Sequence, residues 1–169
     1  SLLVAVAALY YLKTFERLTD RQAMDSAQIA RNICEGQGFS TRFVRPFNVG
    51  FLKSGAQTIP EMNTAPVFPY AVSAVFRVMS ISDQAACWTS LGFHILLLAA
   101  TFLLGTLLFD YKTGLTAGAF VGLSAPMLNS AVSGSQVPLE GFEMTALLVL
   151  VALHRRSISA GASRAVVLY

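Results

Sequence analysis

From residue 91 to residue 109 the chain reads LGFHILLLAATFLLGTLLF, with no formal charge anywhere in the run. About 20 apolar residues in a helix cross the roughly 30 Å hydrocarbon core of a bilayer, so this stretch demands a membrane-spanning helix before any other element is considered. The whole composition agrees. Hydrophobic residues make up 54% of the chain and charged residues only 12%, about half the charge that soluble domains carry. Such a chain cannot cover its surface with solvated side chains, which excludes an ordinary water-soluble domain.

A second uncharged run covers 115–132, where Pro126 and Asn129 predict a kink or a protein-facing side. A third, 141–153, extends backwards through Val137 and ends on His154-Arg155-Arg156, a cytoplasmic stop of the positive-inside kind. The opening SLLVAVAALYYL starts already inside an apolar run and meets Tyr10, Tyr11 and Lys13, an interfacial belt, so it reads as the distal part of a first span in a chain cut at both ends. The expected fold is therefore an all-α, polytopic membrane helical bundle with spans at about 1–15, 85–109, 114–132 and 138–154. Residues 64–82, TAPVFPYAVSAVFRVMSIS, are marginal in apolar length for crossing and carry Pro66 and Pro69 at their entry and Arg77 near their end. They predict an interfacial or re-entrant helix at about 65–81.

Between the first two spans lies a large loop that opens on MDSAQIARNICEGQGF. At helical spacing Ala23, Ala27, Ile29, Ala30, Ile33 and Cys34 fall on one side, and Asp25, Gln28, Asn32 and Glu35 on the other. The pattern predicts an amphipathic helix over about 23–36 that lies flat on the bilayer and lifts Asp25 into a polar space, with Gly36 or Gly38 as its C-cap. Both juxtamembrane helices fall in this first loop, expected on the outer face so that Lys112 and His154-Arg155-Arg156 sit in the cytoplasm and Glu140 and Glu143 return to the side of Asp25. The loop is also basic, with Arg17, Arg21, Arg31, Arg42, Arg45 and Lys53, a composition that suits an anionic phosphate headgroup. His94 reads as a neutral histidine bonded to a neighbouring helix, and the small residues from 114 to 122 as a close helix contact. Cys34 and Cys87 lack ligand spacing for zinc.

The order of an apolar span, an acidic amphipathic helix, Arg31-Asn32 followed by Gly36-x-Gly38-Phe39, Arg45-Pro46, and then Ala65-Pro66-Val67-Phe68-Pro69-Tyr70 resembles the front part of the bacterial GT-C membrane glycosyltransferases, the dolichyl-phosphate-mannose protein mannosyltransferase-like and aminoarabinose transferase-like enzymes. Gly141-Phe142-Glu143-Met144-Thr145 looks like the later acid-bearing element of that family. The resemblance implies an enzyme of the inner, cytoplasmic membrane, a multi-pass protein that moves a sugar from a polyprenyl-phosphate donor to an acceptor hydroxyl on the outer face. It implies Asp25 as the catalytic base, Arg42 and Arg45 with Glu143 as donor-binding residues, and Asp25 with Glu143 as oxygen ligands for Mg²⁺ or Mn²⁺. Its partners would be the lipid-linked sugar, membrane lipids and an acceptor glycan, lipid or protein, with no nucleic acid. Two positions depart from the family: Ser26 replaces a second acid, and Thr64-Ala65 a basic residue. The family's C-terminal part is absent, so these residues alone are expected to be inactive. A transporter or channel module and a noncatalytic membrane subunit are the alternatives.

Overall fold

The computed structural model describes residue 18, residues 20–42 and residues 59–166, with side chains up to residue 158. The expected first span at 1–15 and the loop residues Arg45 and Lys53 lie outside the described residues. Those described form a mostly helical protein in which α1 (Arg21–Cys34), α2 (Val67–Met79), α3 (Asp83–Leu108), α4 (Tyr111–Leu123), α5 (Ala125–Val132) and α6 (Val137–Val166) follow in order. One departure from all-α is a two-residue ladder, β1 (Ser40–Thr41) against β2 (Ile59–Pro60), antiparallel with Ser40 opposite Pro60.

Helix α1 starts where Asp20 accepts a hydrogen bond from the Gln22 N–H, and stops where Gly36 takes φ +78°. The Gln37 N–H reaches the Asn32 carbonyl and the Gly36 N–H the Ile33 carbonyl, a Schellman turn that satisfies two otherwise orphaned carbonyls. The chain then folds back, and the Asn32 side-chain NH₂ donates to the Ser40 carbonyl at 2.7 Å. Asn32, assigned by periodicity to the polar side, is consequently fully buried, as is Ser26. The apolar face meets protein rather than lipid: α1 packs mainly on α2, with Ala23 and Ala30 joining Phe68, Val72 and Phe76 in one cluster and the Cys34 thiol donating to the Ser73 carbonyl.

Among the described residues two helices are long and apolar enough to cross a membrane, Asp83–Leu108 and the Val137–Ile158 part of α6. Helices α4 and α5 make a third only if counted as one span, because they bend by 59° at Ser124. The expected kink at Pro126 is thus a full break: Pro126 sits in the first turn of α5, where its missing N–H costs no helical bond. Helix α6 does not end at 154–156 but runs on to Val166. Basic residues stop a segment from entering hydrocarbon; they do not stop a helix, since Arg is among the better helix formers.

Gly134 lies beside Cys87, Gly141 beside Leu97, and the Arg156 guanidinium donates to the Leu107 carbonyl, so α6 runs along α3 in the same direction. Gly105 backs onto Gly114 and Gly118 faces Phe102, so α4 returns antiparallel. The start of α3, the end of α5 and the start of α6 therefore share one end of the molecule with α1 and α2. Asp110, Lys112 and residues 154–156 occupy the other. The main core sits at the first end, where Phe68, Phe93 and Phe142 form a chain of ring contacts with centroids 6.4 Å apart at each step.

Candidate functional site

Three segments meet over the α1 end of the core. Asp20 caps α1, and one turn on, Arg21 and Asp25 project from the same face at i and i+4 spacing. Across from them runs the 61–65 segment, tied to the ladder by the Glu61 N–H on the Phe39 carbonyl and turned by the Glu61 carboxylate, which accepts the Asn63 N–H at 2.8 Å. The third wall is the α5–α6 turn. Gly134, at φ +74° and pressed against Leu18 and Cys87, reverses the chain where a side chain would collide. The buried Ser90 hydroxyl of α3 then donates to the Ser135 carbonyl at 2.7 Å. Gln136 follows, with its carbonyl starting α6 and its side-chain NH₂ donating to Glu140 at 2.7 Å.

Together these segments enclose a polar cleft of about 540 Å³, lined among the described residues by Asp20, Arg21, Gln22, Asp25, Asn63, Thr64, Ala65 and Gln136. That volume lies within the range of small-molecule sites. Asp25 is half-buried in it and Arg21 is exposed at its rim. The lining supplies two carboxylates, one guanidinium, and amide and hydroxyl groups that both donate and accept. Such a set can hold a polar, hydroxyl-bearing molecule, bind a phosphate at Arg21 and take a proton at Asp25.

No family model, curated protein or solved structure matches this chain. The reading of the cleft therefore stands on its own residues.

Of the residues assigned to the site from the sequence, namely Asp25, Arg42, Arg45 and Glu143, Asp25 alone lines the cleft among the described residues. Arg42 is drawn off into an exposed ion pair with Glu35 at 3.3 Å, at the far end of α1. Arg45 lies outside the described residues. Glu143 is exposed on α6 and is not among the lining residues. It stands two turns beyond Gln136, about 10 Å along the axis. It is Glu140, one turn nearer, that connects to the cleft through Gln136. Among the described residues no group of three or more His, Cys, Asp or Glu is placed to hold a metal ion. Asn63 and Gln136 are lining groups that pattern reasoning missed, while Arg21 was counted among the loop cations suited to phosphate, and Thr64 was noted as a departure from the family, without either being assigned to the site. For Arg21 the signal was available, four residues before Asp25 on one helix face. His94 is fully buried, and neither ring nitrogen has a hydrogen-bond partner among the described residues, contrary to the expected bond to a neighbouring helix.

Proposed function

We propose that the chain is the front part of a membrane glycosyltransferase that moves a sugar from a polyprenyl-phosphate donor to an acceptor hydroxyl, with Asp25 as general base. The observation that carries this reading is the placement of Asp25 and Arg21 in the lining of one polar cleft at the end of the membrane-length helices. The acceptor oxygen attacks the anomeric carbon while its proton passes to the Asp25 carboxylate. The bond from that carbon to the phosphate oxygen breaks, and the electron pair leaves with the phosphate. Arg21, rather than Arg42, faces the departing charge, and a guanidinium fork fits phosphate through two parallel hydrogen bonds. Asn63, Thr64 and Gln136 orient the sugar hydroxyls. Were Mg²⁺ or Mn²⁺ to bind, Asp20 and Asp25 are the lining oxygen groups that would meet it, and the ion would add positive charge at the phosphate. The cleft end then faces outwards, with Lys112 and residues 154–156 in the cytoplasm.

The test is transfer from a polyprenyl-phosphate sugar by the whole natural protein in membranes. Asp25→Asn should lower turnover by about 10²–10⁴-fold, the usual contribution of a general base, while Arg42→Ala should change it little. Normal transfer by a folded Asp25→Asn protein refutes the assignment. So does cysteine labelling that finds position 63 on the cytoplasmic side.

The break at Ser124 favours a second reading. Discontinuous helices line substrate paths in transporters, and sugar flux into vesicles without chemical transfer would select it.

A further inference from the structure

We propose that the outward face of α2, with the groove between α2 and α3, is a binding surface for bilayer lipid, and that α1 is held off the membrane behind it. The proposal does not depend on the glycosyltransferase reading.

Helix α2 is apolar on both sides. Its inner side, Phe68, Val72 and Phe76, is buried against α1 and the start of α3. Its opposite side carries Val67, Ala74 and Val78 in one stripe, at i, i+7 and i+11, and Val67 is 52% and Val78 85% exposed. Met79 and Ile81 extend the exposed apolar surface into the turn. A helix apolar all round is stable only when both faces are covered. Among the described residues protein covers one face.

Three observations say what covers the other. Continuity with a membrane-crossing element is the first. Ser80, at φ +103°, breaks α2 and turns the chain within a few residues into α3, the longer of the two membrane-length apolar helices among the described residues. Length is the second: thirteen residues extend about 20 Å, too short for the roughly 30 Å core, so α2 meets lipid along its side. The groove itself is the third. Ala71, Ala74 and Val75 of α2 face Trp88, Gly92 and Phe93 of α3 across about 420 Å³ of almost wholly apolar space. Small residues on one wall and rings on the other leave a slot of hydrocarbon chemistry. Trp88 stands at its side near the start of the span, where aromatic belts mark the membrane interface. Arg77 is exposed beside the stripe, where a long basic side chain can extend to headgroups, and Tyr70 stacks on Phe39 with centroids 5.9 Å apart. The occupant that fits is the acyl chain of a diacyl phospholipid lying at the interface.

Trp88 is the only tryptophan in the sequence, so its emission reads the groove without a label. The full chain is reconstituted in phosphatidylcholine vesicles whose acyl chains carry bromine either close to the headgroup or near the chain ends. Trp88 should lose most of its emission to shallow bromines and less to deep ones. In a Trp88→Phe background, Val78→Trp should show the same shallow quenching, because that position is open and its replacement meets no core. Arg31→Trp on the exposed side of α1 should show none. An unquenched tryptophan at 78 overturns the proposal, and its photo-crosslinking to a second polypeptide would identify a protein occupant. Deep rather than shallow quenching at 78 overturns the interfacial placement. Quenching at 31 overturns the claim that α1 is held off the membrane.

Discussion

Replacing Gly114 by alanine tests the helix contact that returns the chain to the cleft end. A Cβ at this position would stand 2.6 Å from the Phe102 carbonyl oxygen and 2.9 Å from the Thr106 nitrogen. Both are backbone atoms of α3, so no rotamer change relieves the clash. The helices must part by about 0.7 Å to restore an ordinary contact distance, and a gap of that order forfeits roughly a quarter to a half of the attraction of each separated atom pair. Overpacking of this kind costs about 1–3 kcal/mol, and a backbone clash belongs at the upper end. We expect Gly114→Ala to lose about 2–3 kcal/mol, a fall of roughly 5–10 °C in the melting temperature of a chain this size. The assay is thermal unfolding of the detergent-solubilised protein by circular dichroism. Gly92→Ala is the control, since nothing lies within 4 Å of its added carbon. It should change stability by no more than about 0.5 kcal/mol. Gly105→Ala meets the Gly114 Cα at 2.6 Å from the other side. One separation of the helices relieves both clashes, so the double variant should cost clearly less than the two single losses added together. Gly114→Ala melting with Gly92→Ala, or strict additivity of the pair, would refute the close-contact account.

Asn32→Ala should destabilise the turn that links α1 to β1 by about 1–3 kcal/mol, because it leaves the buried Ser40 carbonyl without its 2.7 Å donor; a melting temperature equal to that of the unsubstituted protein would contradict this. Asp110 caps α4, and hydrogen bonds that its carboxylate accepts from Thr113, first from the side-chain hydroxyl and then from the backbone N–H at 2.8 Å, hold the Asp110 carboxyl below its ordinary 3.8. A carboxyl lowered in the folded state contributes stability that is present above the unfolded pKa and lost as pH falls through the folded one. Acid titration of stability should therefore show a loss below about pH 4 that is flattened in Asp110→Asn, and an unchanged acid limb would remove the cap from the account.

How far the sequence disclosed this arrangement depends on whether the information was local. The apolar run around 91–109 and the spacing of Ala23 and Ala30 are local facts, and both elements formed near their expected bounds. Gly36 ended its helix because a left-handed residue was needed there, again a local requirement. Asn32 could not be read in the same way. Its burial comes from the strand that folds back over it, so a helical wheel assigns it to solvent. Gln136 was equally hidden. It reaches the cleft only because Ser90 of a distant helix holds the preceding turn, a contact that no spacing along the chain encodes. Arg42 was a reasonable phosphate ligand by charge until Glu35, seven residues earlier, was found paired with it.

The support beneath α1 bears on what its carboxylate can do. A helix resting on lipid through a few apolar side chains is free to roll, and rolling moves a residue on its upper face sideways. Reaction geometry tolerates little of that, since a misplacement of about 1 Å can cost roughly 10²-fold in rate. Here Ala23, Ile29 and Ala30 are almost completely buried in protein, Asp20 fixes the first turn and the Cys34 thiol ties the last turn to α2. The rotational setting of Asp25 is thus decided by packing at three levels along one short helix, and on the proposed placement lipid would enter only through α2. On the lipid placement proposed above, that division would account for two helices where one would suffice as an anchor: α2 would meet lipid on one side and α1 on the other, and α1 would be left to hold the cleft.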